Sequence, residues 1–324
     1  MTLITHYIDL DGVSPIVLIK YAQDGLPIKN IYMVPYGENM NQRIKEKLTP
    51  HMSEELFVTD LNTPVELYDF YKKFKDYYIF DHHIGTTEIM GKKNVFVDIA
   101  QCGTSLFYKW LTMIMTPTTP MDHYVNLVNT YDMWKSDSEL WEEAVNLNMV
   151  LFASQNYNLP EEDWRRFQMF INIQLSKFDK EEWFWTPYEK DAIGKGRARL
   201  NNSIKKAKEN MKIRTDSEGR KFALYFGKSQ ISLVCHDILT SFPELDYIIN
   251  INTYQPSSKE SVNGKVSLRS RDIDLTQFRE VDGHKLAAGG SFTEDFLTKL
   301  WNGDINNIPY QKERSIGTVH SEKK

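Results

Sequence analysis

The sequence predicts an α/β protein with a mainly parallel-sheet N-terminal domain, a helical connector and a smaller α/β C-terminal domain. From residue 1 to about 135, short apolar segments alternate with helical segments, which is typical of a parallel sheet with crossover helices. Residues 140–211 have a helical pattern and many aromatic side chains, and β-prone segments return after them. The 324 residues suffice for two domains of the common size of ~100–200 residues.

Each predicted strand is a short apolar run, rich in β-branched or aromatic residues, that ends in polar or turn-forming residues. In the first domain the strands cover residues 3–8, 28–34, 56–58, 77–80 and 95–97, and an apolar helix follows at 106–115. In the second domain they cover residues 221–226, 231–234, 247–251 and 265–269, with a polar turn at 256–264. The connector aromatics, among them Trp164 and Phe184, are expected mainly to pack; base stacking is the alternative.

Domain boundaries are expected where the composition changes. The first domain is predicted to span residues 1–190, with a helical extension from about 136, and the second residues 215–305. Residues 191–214 between them form a predicted linker helix with many Lys and Arg side chains. That basic run is either the solvated face of a helix or an electropositive wall of a cleft between the domains. The polar tail at 306–324 is predicted to be flexible.

Composition argues against several classes of protein. Cys102 and Cys235 are too few for a disulfide framework, which favours the reducing cytoplasm. No apolar run approaches the ~20 residues of a membrane span, and the N-terminus lacks the pattern of a secretory signal, so we expect no membrane association. The formal net charge of −5 disfavours a protein that tracks long nucleic acid over a broad basic surface, whereas a local basic cleft suffices for a short charged substrate.

Two clusters of acidic and imidazole side chains follow predicted strands of the first domain. They comprise His6, Asp9 and Asp11, with Gly12 as a tight exit, and Asp81, His82 and His83 after residues 77–80. Imidazole and carboxylate together suit Mn²⁺ and related divalent ions, and a carboxylate can bridge two of them. Because ligands bind beyond the carboxyl ends of parallel strands, we expect the clusters to share one site. The alternative is that Asp-His-His only caps a strand in a polar turn.

Two further acids extend the predicted site. Asp60 ends the apolar run at residues 57–59, so it is expected at the same edge of the sheet as the two clusters. Asp132 stands among aromatic residues at a predicted helix end or loop. Taken alone, an acid in that position is more typical of a helix cap or a solvated turn than of a metal ligand.

In their order along the chain, these residues resemble the motifs of the DHH phosphoesterase family, which includes RecJ-type exonucleases, bacterial nanoRNases and cyclic-dinucleotide phosphodiesterases. The matching residues are His6-x-x-Asp9-x-Asp11-Gly12, Asp60, Asp81-His82-His83 and Asp132. Residues 267–271 with 283–290 are similar to the substrate-binding Gly-Gly-His element of the DHH-associated domain. Two departures are Asp282 in place of that element's first glycine and the spacing from His6 to Asp9, which varies among family members.

The resemblance implies two Mn²⁺ ions, with Mg²⁺ or Co²⁺ as substitutes, and Asp60 as the bridge between them. One ion would be held by His6, Asp9 and Asp60, and the other by Asp11, Asp60, His82 and Asp132. His83 would contact the scissile phosphate. Asp81 would orient His82 or its loop, because a ligating imidazole usually donates its other nitrogen to an acceptor; a cap on the strand is the alternative.

The implied substrate-binding residues are Ser105, Arg269, Arg271, Gly283, His284, Gly289 and Gly290. Arg269 would grip a phosphate through planar, charge-assisted hydrogen bonds, and His284 with the glycine amides would hold the end of the substrate. For Arg269 alone, a solvated strand residue is the alternative. Ser105 precedes the predicted helix at 106–115, where free amides can receive a phosphate; a simple cap is the alternative. The active site is expected in the cleft between the domains.

The resemblance thus implies an enzyme that hydrolyses short single-stranded RNA or DNA to mononucleotides, with water activated by two metal ions. A nanoRNase-like activity is the first expectation, and a homodimer is compatible with it. Hydrolysis of linear or cyclic dinucleotides, or of 3′-phosphoadenosine 5′-phosphate, is the alternative with the same metal chemistry. A non-catalytic nucleotide-binding protein of the same fold is the alternative from another class, although a pure binder has no need of the complete set of acids.

Overall fold

The computed structural model describes residues 1–22, 25–36, 39–216, 218–253, 263–275, 282–284 and 286–293. The chain divides into two compact units, Met1–Gly196 and Arg197–Lys324. No helix of the described residues is long and apolar enough to cross a membrane. The polar turn expected at 256–264 falls largely outside the described residues, as does the whole tail at 306–324.

A five-stranded parallel sheet forms the centre of the first unit, as the sequence predicts. Its strands are β1 (Thr2–His6), β2 (Asn30–Val34), β3 (Glu55–Thr59), β4 (Asp76–Asp81) and β5 (Val95–Val97), in the spatial order β2-β1-β3-β4-β5. Every neighbouring pair is parallel. All carboxyl ends of the strands therefore lie at one edge, which is the edge expected to carry the site.

Helices cover the sheet and form the connector. They are α1 (Leu10–Tyr21), α2 (Met40–Leu48), α3 (Val65–Tyr71), α4 (Gly103–Leu111), α5 (Thr119–Asp132), α6 (Trp141–Ala153), α7 (Gln168–Phe178) and α8 (Pro187–Asn210), with short 3₁₀ helices at Thr49–His51, Ile84–Ile89 and Trp164–Phe167. The helix predicted at 106–115 thus begins three residues earlier, at Gly103. The polar Gly-Thr-Ser segment, residues 103–105, forms its first turn.

Both faces of the parallel sheet are buried, because successive side chains of a strand point to opposite faces. Leu3 of β1 and Phe57 of β3 belong to one hydrophobic core, whereas the adjacent residues Ile4 and Val58 belong to another. Strands buried on both faces are typical of parallel sheets, and they explain why adjacent residues at the centres of β1 and β3 are both apolar.

The connector aromatics mainly pack, as expected. Phe167 and Phe170 are buried in the first core, and Trp164, Trp183 and Trp185 pack against it. Phe184 is an exception, with 41 % of its surface exposed. Its neighbours Trp183 and Trp185 point inward, so the alternation along this short segment leaves Phe184 on the outside.

A six-stranded mixed sheet forms the second unit. Its strands are β6 (Lys212–Thr215), β7 (Lys221–Phe226), β8 (Tyr247–Thr253), β9 (Asn263–Ser270), β10 (Asp282–His284) and β11 (Ala287–Thr293), in the order β10-β11-β9-β8-β7-β6. The β7–β8 pair is parallel and the other pairs are antiparallel. Helix α9 (Ile231–Ser241) connects the parallel pair. A smaller α/β domain is therefore confirmed.

Two sequence-based assignments in this region are wrong. Residues 231–234 were expected as a strand but begin α9, where Val234 and Ile238 share the buried face at helical spacing. The predicted linker helix at 191–214 ends early, because α8 stops at Asn210 and Lys212 begins β6. A run of four residues with three apolar side chains, Ile-Ser-Leu-Val, fits a helix or a strand, so tertiary pairing decides. The exact domain boundaries stay a prediction.

A fully buried ion pair ties α7 to the start of α8. Nζ of Lys177 lies 2.7 Å from Oε1 of Glu189, and both side chains have no exposed surface. The ammonium also donates to Gln174 Oε1 at 3.2 Å and lies 3.9 Å from the centre of the Trp183 ring. Burial lowers the pKa of Lys177, while the charge of Glu189 opposes that shift. Removing one partner would leave the other charge buried and uncompensated.

We predict that Glu189→Ala lowers the free energy of unfolding by about 3–5 kcal/mol, since a buried pair is broken. Asp191→Ala is the matched control on the same helix, because Asp191 pairs with Lys195 at 2.6 Å with both side chains exposed. Such a surface pair contributes about 0–1 kcal/mol. Urea denaturation followed by circular dichroism measures both variants. Equal losses in the two variants would contradict this account of the buried pair.

Candidate metal centre

The polar residues of the site lie at the carboxyl ends of three neighbouring strands, β1, β3 and β4. In the register of the sheet, Thr2 of β1 lies beside Leu56 of β3, and Leu56 beside Tyr77 of β4. Extending these pairings to the strand ends places His6, Asp60 and Asp81 side by side beyond the carboxyl edge of the sheet. The N–H of Asp60 donates to the carbonyl of Phe80 at 2.8 Å, which continues the ladder to this point.

Asp60 lies between two imidazoles. Its Oδ2 is 2.6 Å from Nε2 of His6, and its Oδ1 is 3.3 Å from Nε2 of His82. The Asp60 side chain is nearly fully buried, and each of its carboxylate oxygens faces one of the two imidazoles. This is the arrangement that a bridging ligand requires, because each oxygen can face a different ion.

The predicted ligands form two groups around Asp60. His6, Asp9 and Asp60 form the first group, and Asp11, His82 and Asp132 form the second; in each, the ligand atoms lie within 4.8 Å of one another. Nε2 of His82 is 3.5 Å from Oδ2 of Asp132 and 4.0 Å from Oδ2 of Asp11. The structure thus brings together all six residues predicted as metal ligands.

The start of α1 fixes the first group. Asp9 is the N-cap of α1, and its Oδ1 accepts a hydrogen bond from the N–H of Gly12 at 3.1 Å while lying 3.7 Å from Nε2 of His6. Gly12 packs tightly against His6: a Cβ atom on Gly12 would lie 2.6 Å from both the His6 ring and its carbonyl oxygen. The glycine is therefore required by the close approach of the helix to the histidine.

The amides at the start of α4 hold Asp11. The N–H groups of Gly103 and Thr104 donate to the two carboxylate oxygens of Asp11 at 2.7 and 2.8 Å, and the Thr104 hydroxyl donates to its carbonyl at 2.9 Å. The amides that we expected to receive a phosphate therefore have another partner. Ser105 is buried, with its Oγ 3.4 Å from Sγ of Cys102. A substrate-binding role for Ser105 gains no support from this geometry.

Asp81, which was expected to orient His82 or its loop, contacts His83 and Thr86 in the segment after His82. Its Oδ1 lies 2.6 Å from Nδ1 of His83, and its Oδ2 accepts a hydrogen bond from the hydroxyl of Thr86. Thr86 in turn accepts from the N–H of Thr63 at 2.7 Å, so the carboxylate is anchored in the following loop. With Nδ1 of His83 held by Asp81, the other ring nitrogen, Nε2, lies 3.4 Å from the hydroxyl of Tyr36.

Asp132 belongs to the centre and not to a helix cap. It is the last residue of α5, and its Oδ2 is buried beside His82. Among the described residues, neither Oδ2 of Asp132 nor Oδ1 of Asp60 makes a hydrogen bond. Buried carboxylate oxygens without a hydrogen bond are costly, so these two atoms, which both face His82, are candidate ligands of a cation.

The protonation equilibria indicate the same deficit of positive charge. Burial, followed by the charge of Asp60, raises the pKa of Asp11 to about 7, and burial with Asp11 raises that of Asp132 well above its ordinary value. Burial opposes the protonation of His6 and His82, but the surrounding carboxylates outweigh it and raise their pKa values to about 9 and about 10. The carboxylic acids therefore tend to stay protonated, or the neighbouring histidines stay protonated and positively charged. This is the behaviour of an acidic cluster that binds no cations.

Five carboxylates face three imidazoles in this cluster, and the donors are the oxygen and nitrogen atoms that Mn²⁺ accepts. Together with the two oxygens that make no hydrogen bond, this composition fits divalent cations. His6, Asp9 and Asp60 could hold one ion, and Asp11, His82 and Asp132 with Asp60 a second.

Tyr36 is a residue of this centre that the sequence analysis missed. Its hydroxyl donates to the carbonyl of Asp60 at 2.9 Å, and its ring centre lies 4.6 Å from that of His6. Burial, and then the charges of the nearby Asp60 and Asp9 carboxylates, raise the pKa of Tyr36 well above its ordinary value, so the hydroxyl stays protonated. The sequence signal is weak: Tyr36 follows β2, and only the spatial order β2-β1-β3 places it beside Asp60.

The predicted substrate-binding residues of the second unit lie on adjacent strands. Arg269 on β9 is paired with Ala287 on β11, which is paired with His284 on β10, and Gly289 is paired with Ser267. The Arg269 guanidinium donates to Oγ of Ser232 at 2.8 Å. These pairings place five of the predicted residues on the three adjacent strands β9, β11 and β10 at one side of the sheet: Arg269, Gly283, His284, Gly289 and Gly290. The side chain of His284 falls outside the described part.

Arg271 has a structural partner. Its Nη2 donates to the carbonyls of Phe242 and Leu245 at 3.1 and 3.0 Å, beyond the end of α9. The guanidinium therefore holds the turn between α9 and β8. A role for Arg271 in substrate binding stays a prediction without a supporting contact.

Comparisons with known proteins agree with this geometry. No family model matches the chain. The oligoribonuclease NrnB of Bacillus subtilis (strain 168) is 24 % identical over 306 residues, which cover 89 % of this chain and 72 % of that protein. With its motif residues gathered around Asp60, the chain is similar to the DHH phosphoesterases. The class of chemistry that this family performs is the hydrolysis of phosphoester bonds.

Solved structures support the same fold. The pGpG-specific phosphodiesterase PggH of Vibrio cholerae has a TM-score of 0.55 and 12 % identity, over 94 % of this chain and 97 % of that chain. A DHH domain described as a member of the s1p family of ribosomal proteins has a TM-score of 0.57 and 12 % identity, over 93 % of this chain and 84 % of that chain. At such identities the likeness concerns the fold alone.

We predict that Gly12→Ala weakens Mn²⁺ binding at the candidate group of His6, Asp9 and Asp60 about tenfold to a hundredfold. The added methyl group would displace the His6 ring, and loss of the support of a metal ligand has an effect of that size. Isothermal titration with MnCl₂ measures the change. Gly194→Ala on α8 is the matched control, since a Cβ there meets nothing within 4 Å. Wild-type Mn²⁺ affinity in Gly12→Ala would show that the helix can move away without disturbing His6.

Proposed function

We propose that this protein is a Mn²⁺-dependent phosphodiesterase that hydrolyses short oligonucleotides to mononucleotides. The observation that carries the proposal is the position of the buried Asp60 carboxylate between His6 and His82, with a complete ligand group on each side. A protein that only binds nucleotides would not need two such groups. It would also leave the buried oxygens of Asp60 and Asp132 without a function.

His6, Asp9 and Asp60 would hold one ion, and Asp11, Asp60, His82 and Asp132 the other. When bound, two such ions lower the pKa of a shared water and offset the charge of the reacting phosphate. Imidazole and carboxylate donors favour Mn²⁺, and Mg²⁺ or Co²⁺ would be substitutes. The amides of Gly103 and Thr104 would keep Asp11 in a fixed orientation for this task.

His83 would contact the scissile phosphate. Asp81 contacts Nδ1 of His83. Burial lowers the pKa of His83, but the hydrogen bond and the charge of Asp81 outweigh burial, so the pKa is raised. A His83 that keeps both protons presents Nε2–H as a charged donor to a phosphate oxygen. Asp81 is thus proposed as the residue that sets the orientation and the charge of His83.

The substrate is proposed to be short. NrnB is an oligoribonuclease and PggH is specific for pGpG, so both names point to small nucleotides. The net charge of −5 suits a small basic pocket better than an extended track for nucleic acid. Arg269 with the glycines of β10 and β11 would hold a phosphate of the substrate.

We propose that the protein works in the reducing cytoplasm, which is supported by Cys102 and Cys235, both free and buried. The homodimer stays a prediction.

Product analysis by mass spectrometry tests the proposal. The panel comprises RNA and DNA from dimers to long single strands, pGpG, cyclic dinucleotides and 3′-phosphoadenosine 5′-phosphate, each with Mn²⁺. Fastest release of mononucleotides from the shortest RNA supports the nanoRNase-like activity. If the protein prefers a dinucleotide or 3′-phosphoadenosine 5′-phosphate, the proposed metal-dependent mechanism stands and the proposed substrate is wrong. No metal-dependent turnover of any member would contradict the proposal.

We predict that Asp60→Ala abolishes turnover, because both ions lose a ligand at once. Asp69→Ala is the matched control, since Asp69 is exposed and pairs only locally with Lys72 at 2.6 Å. Turnover and Mn²⁺ stoichiometry are measured on both purified variants. Full activity in Asp60→Ala would exclude the bridging role.

We predict that Arg269→Ala raises KM about tenfold to a hundredfold with little change in kcat, because a charge-assisted hydrogen bond to phosphate contributes about 1.5–3 kcal/mol. Arg165→Ala serves as the control, because Arg165 is exposed and pairs with Asp163 in the first unit. Steady-state kinetics on the best substrate decides. A fall in kcat at constant KM would assign Arg269 to the chemical step instead.

A further inference from the structure

The main chain of Asp60 has a conformation that few residues adopt. Its φ is +52°, in the left-handed region, where a side chain crowds the following carbonyl and which only Gly, Asn and Asp visit routinely. Such conformations persist when the surroundings fix them, and they are frequent at functional sites. Asp60 directly follows β3, so this conformation sets the direction in which its carboxylate leaves the strand.

Three contacts fix that conformation. The N–H of Asp60 donates to the carbonyl of Phe80 at 2.8 Å, and its own carbonyl accepts from the hydroxyl of Tyr36 at 2.9 Å. Gly103 packs against it from α4, where a Cβ atom would lie 2.9 Å from Cβ of Asp60 and 3.1 Å from its Cα. Of these, the contact from Tyr36 is made by a side chain and can be removed alone.

Tyr36 also contacts the imidazoles on either side. Its ring centre lies 4.6 Å from that of His6 and 5.9 Å from that of His83. Its hydroxyl is 3.4 Å from Nε2 of His83. One side chain therefore contacts the main chain of Asp60, a proposed metal ligand and the proposed phosphate-binding histidine.

We propose that Tyr36 is a positioning residue of the metal centre: its hydroxyl holds the Asp60 main chain in the left-handed conformation that lets one carboxylate face His6 and His82 together. The inference rests on the proposed metal centre and adds a residue to it. Without the hydroxyl, the Asp60 peptide can relax towards an ordinary conformation, and one of its carboxylate oxygens moves away from its ion.

The test is an electron paramagnetic resonance titration with MnCl₂ alone. Two Mn²⁺ ions that share a carboxylate give an exchange-coupled spectrum, whereas isolated ions do not. In Tyr36→Phe, which keeps the ring, we expect loss of the coupled signal or about tenfold to a hundredfold weaker binding of the second ion, the usual size of an effect from a residue that supports a ligand. The same variant should lose kcat by a similar factor at nearly constant KM.

Tyr32→Phe is the matched control. Tyr32 lies on β2 close to Tyr36 in sequence, but its hydroxyl is 2.7 Å from Nε2 of His51 and so serves another contact. This variant should titrate as the wild type does. In an Asp60→Ala background, Tyr36→Phe should cause no further loss of Mn²⁺ affinity. The effects of residues that act through a shared partner are not additive.

The outcomes separate this inference from the proposed function. If the wild type binds two coupled Mn²⁺ ions and Tyr36→Phe binds them equally well, the metal centre stands and the role of Tyr36 is overturned. If the wild type itself binds no ion pair, both are overturned. A Tyr36→Phe protein that fails to fold would also overturn the inference, because its hydroxyl would then be needed for the fold rather than for the position of Asp60.

Discussion

The centre depends on a single buried carboxylate. Asp60 faces His6 with one oxygen and His82 with the other, and every other candidate ligand is arranged around one of these two contacts. The parallel sheet makes this possible, because β1, β3 and β4 end at one level and deliver their next residues to the same edge. A carboxylate buried among others is unfavourable without positive charge, so the site is stable as a whole only with its imidazoles and, we propose, its ions.

The supporting contacts are as specific as the ligands. Amides of α4 hold Asp11, Asp9 caps α1, Asp81 holds His83, and Tyr36 holds the Asp60 main chain. Gly12 and Gly103 let two helices approach His6 and Asp60 more closely than any larger residue would. The polar residues at the strand ends are thus fixed by main-chain contacts and not only by one another, which favours catalysis by preorganised charge.

The sequence predicted the parallel sheet well, because its strands are short apolar runs with acids at their ends. The candidate ligands could also be found, since the motifs that resemble the family place His6, Asp60 and His82 in order along the chain. The partners of those ligands could not. That Asp81 binds His83, that Gly103 and Thr104 bind Asp11, and that Tyr36 reaches Asp60 all depend on strand order and helix placement, which no local pattern contains. Residues 231–234 show the same limit, because a short apolar run fits a helix or a strand equally.

The most direct test of the account is a crystal structure of the protein with MnCl₂, with anomalous scattering recorded at the manganese absorption edge. We expect two anomalous peaks, one beside His6 and Asp9 and the other beside Asp11, His82 and Asp132, with the Asp60 carboxylate between them. A single peak, or two peaks that Asp60 does not bridge, would contradict the account.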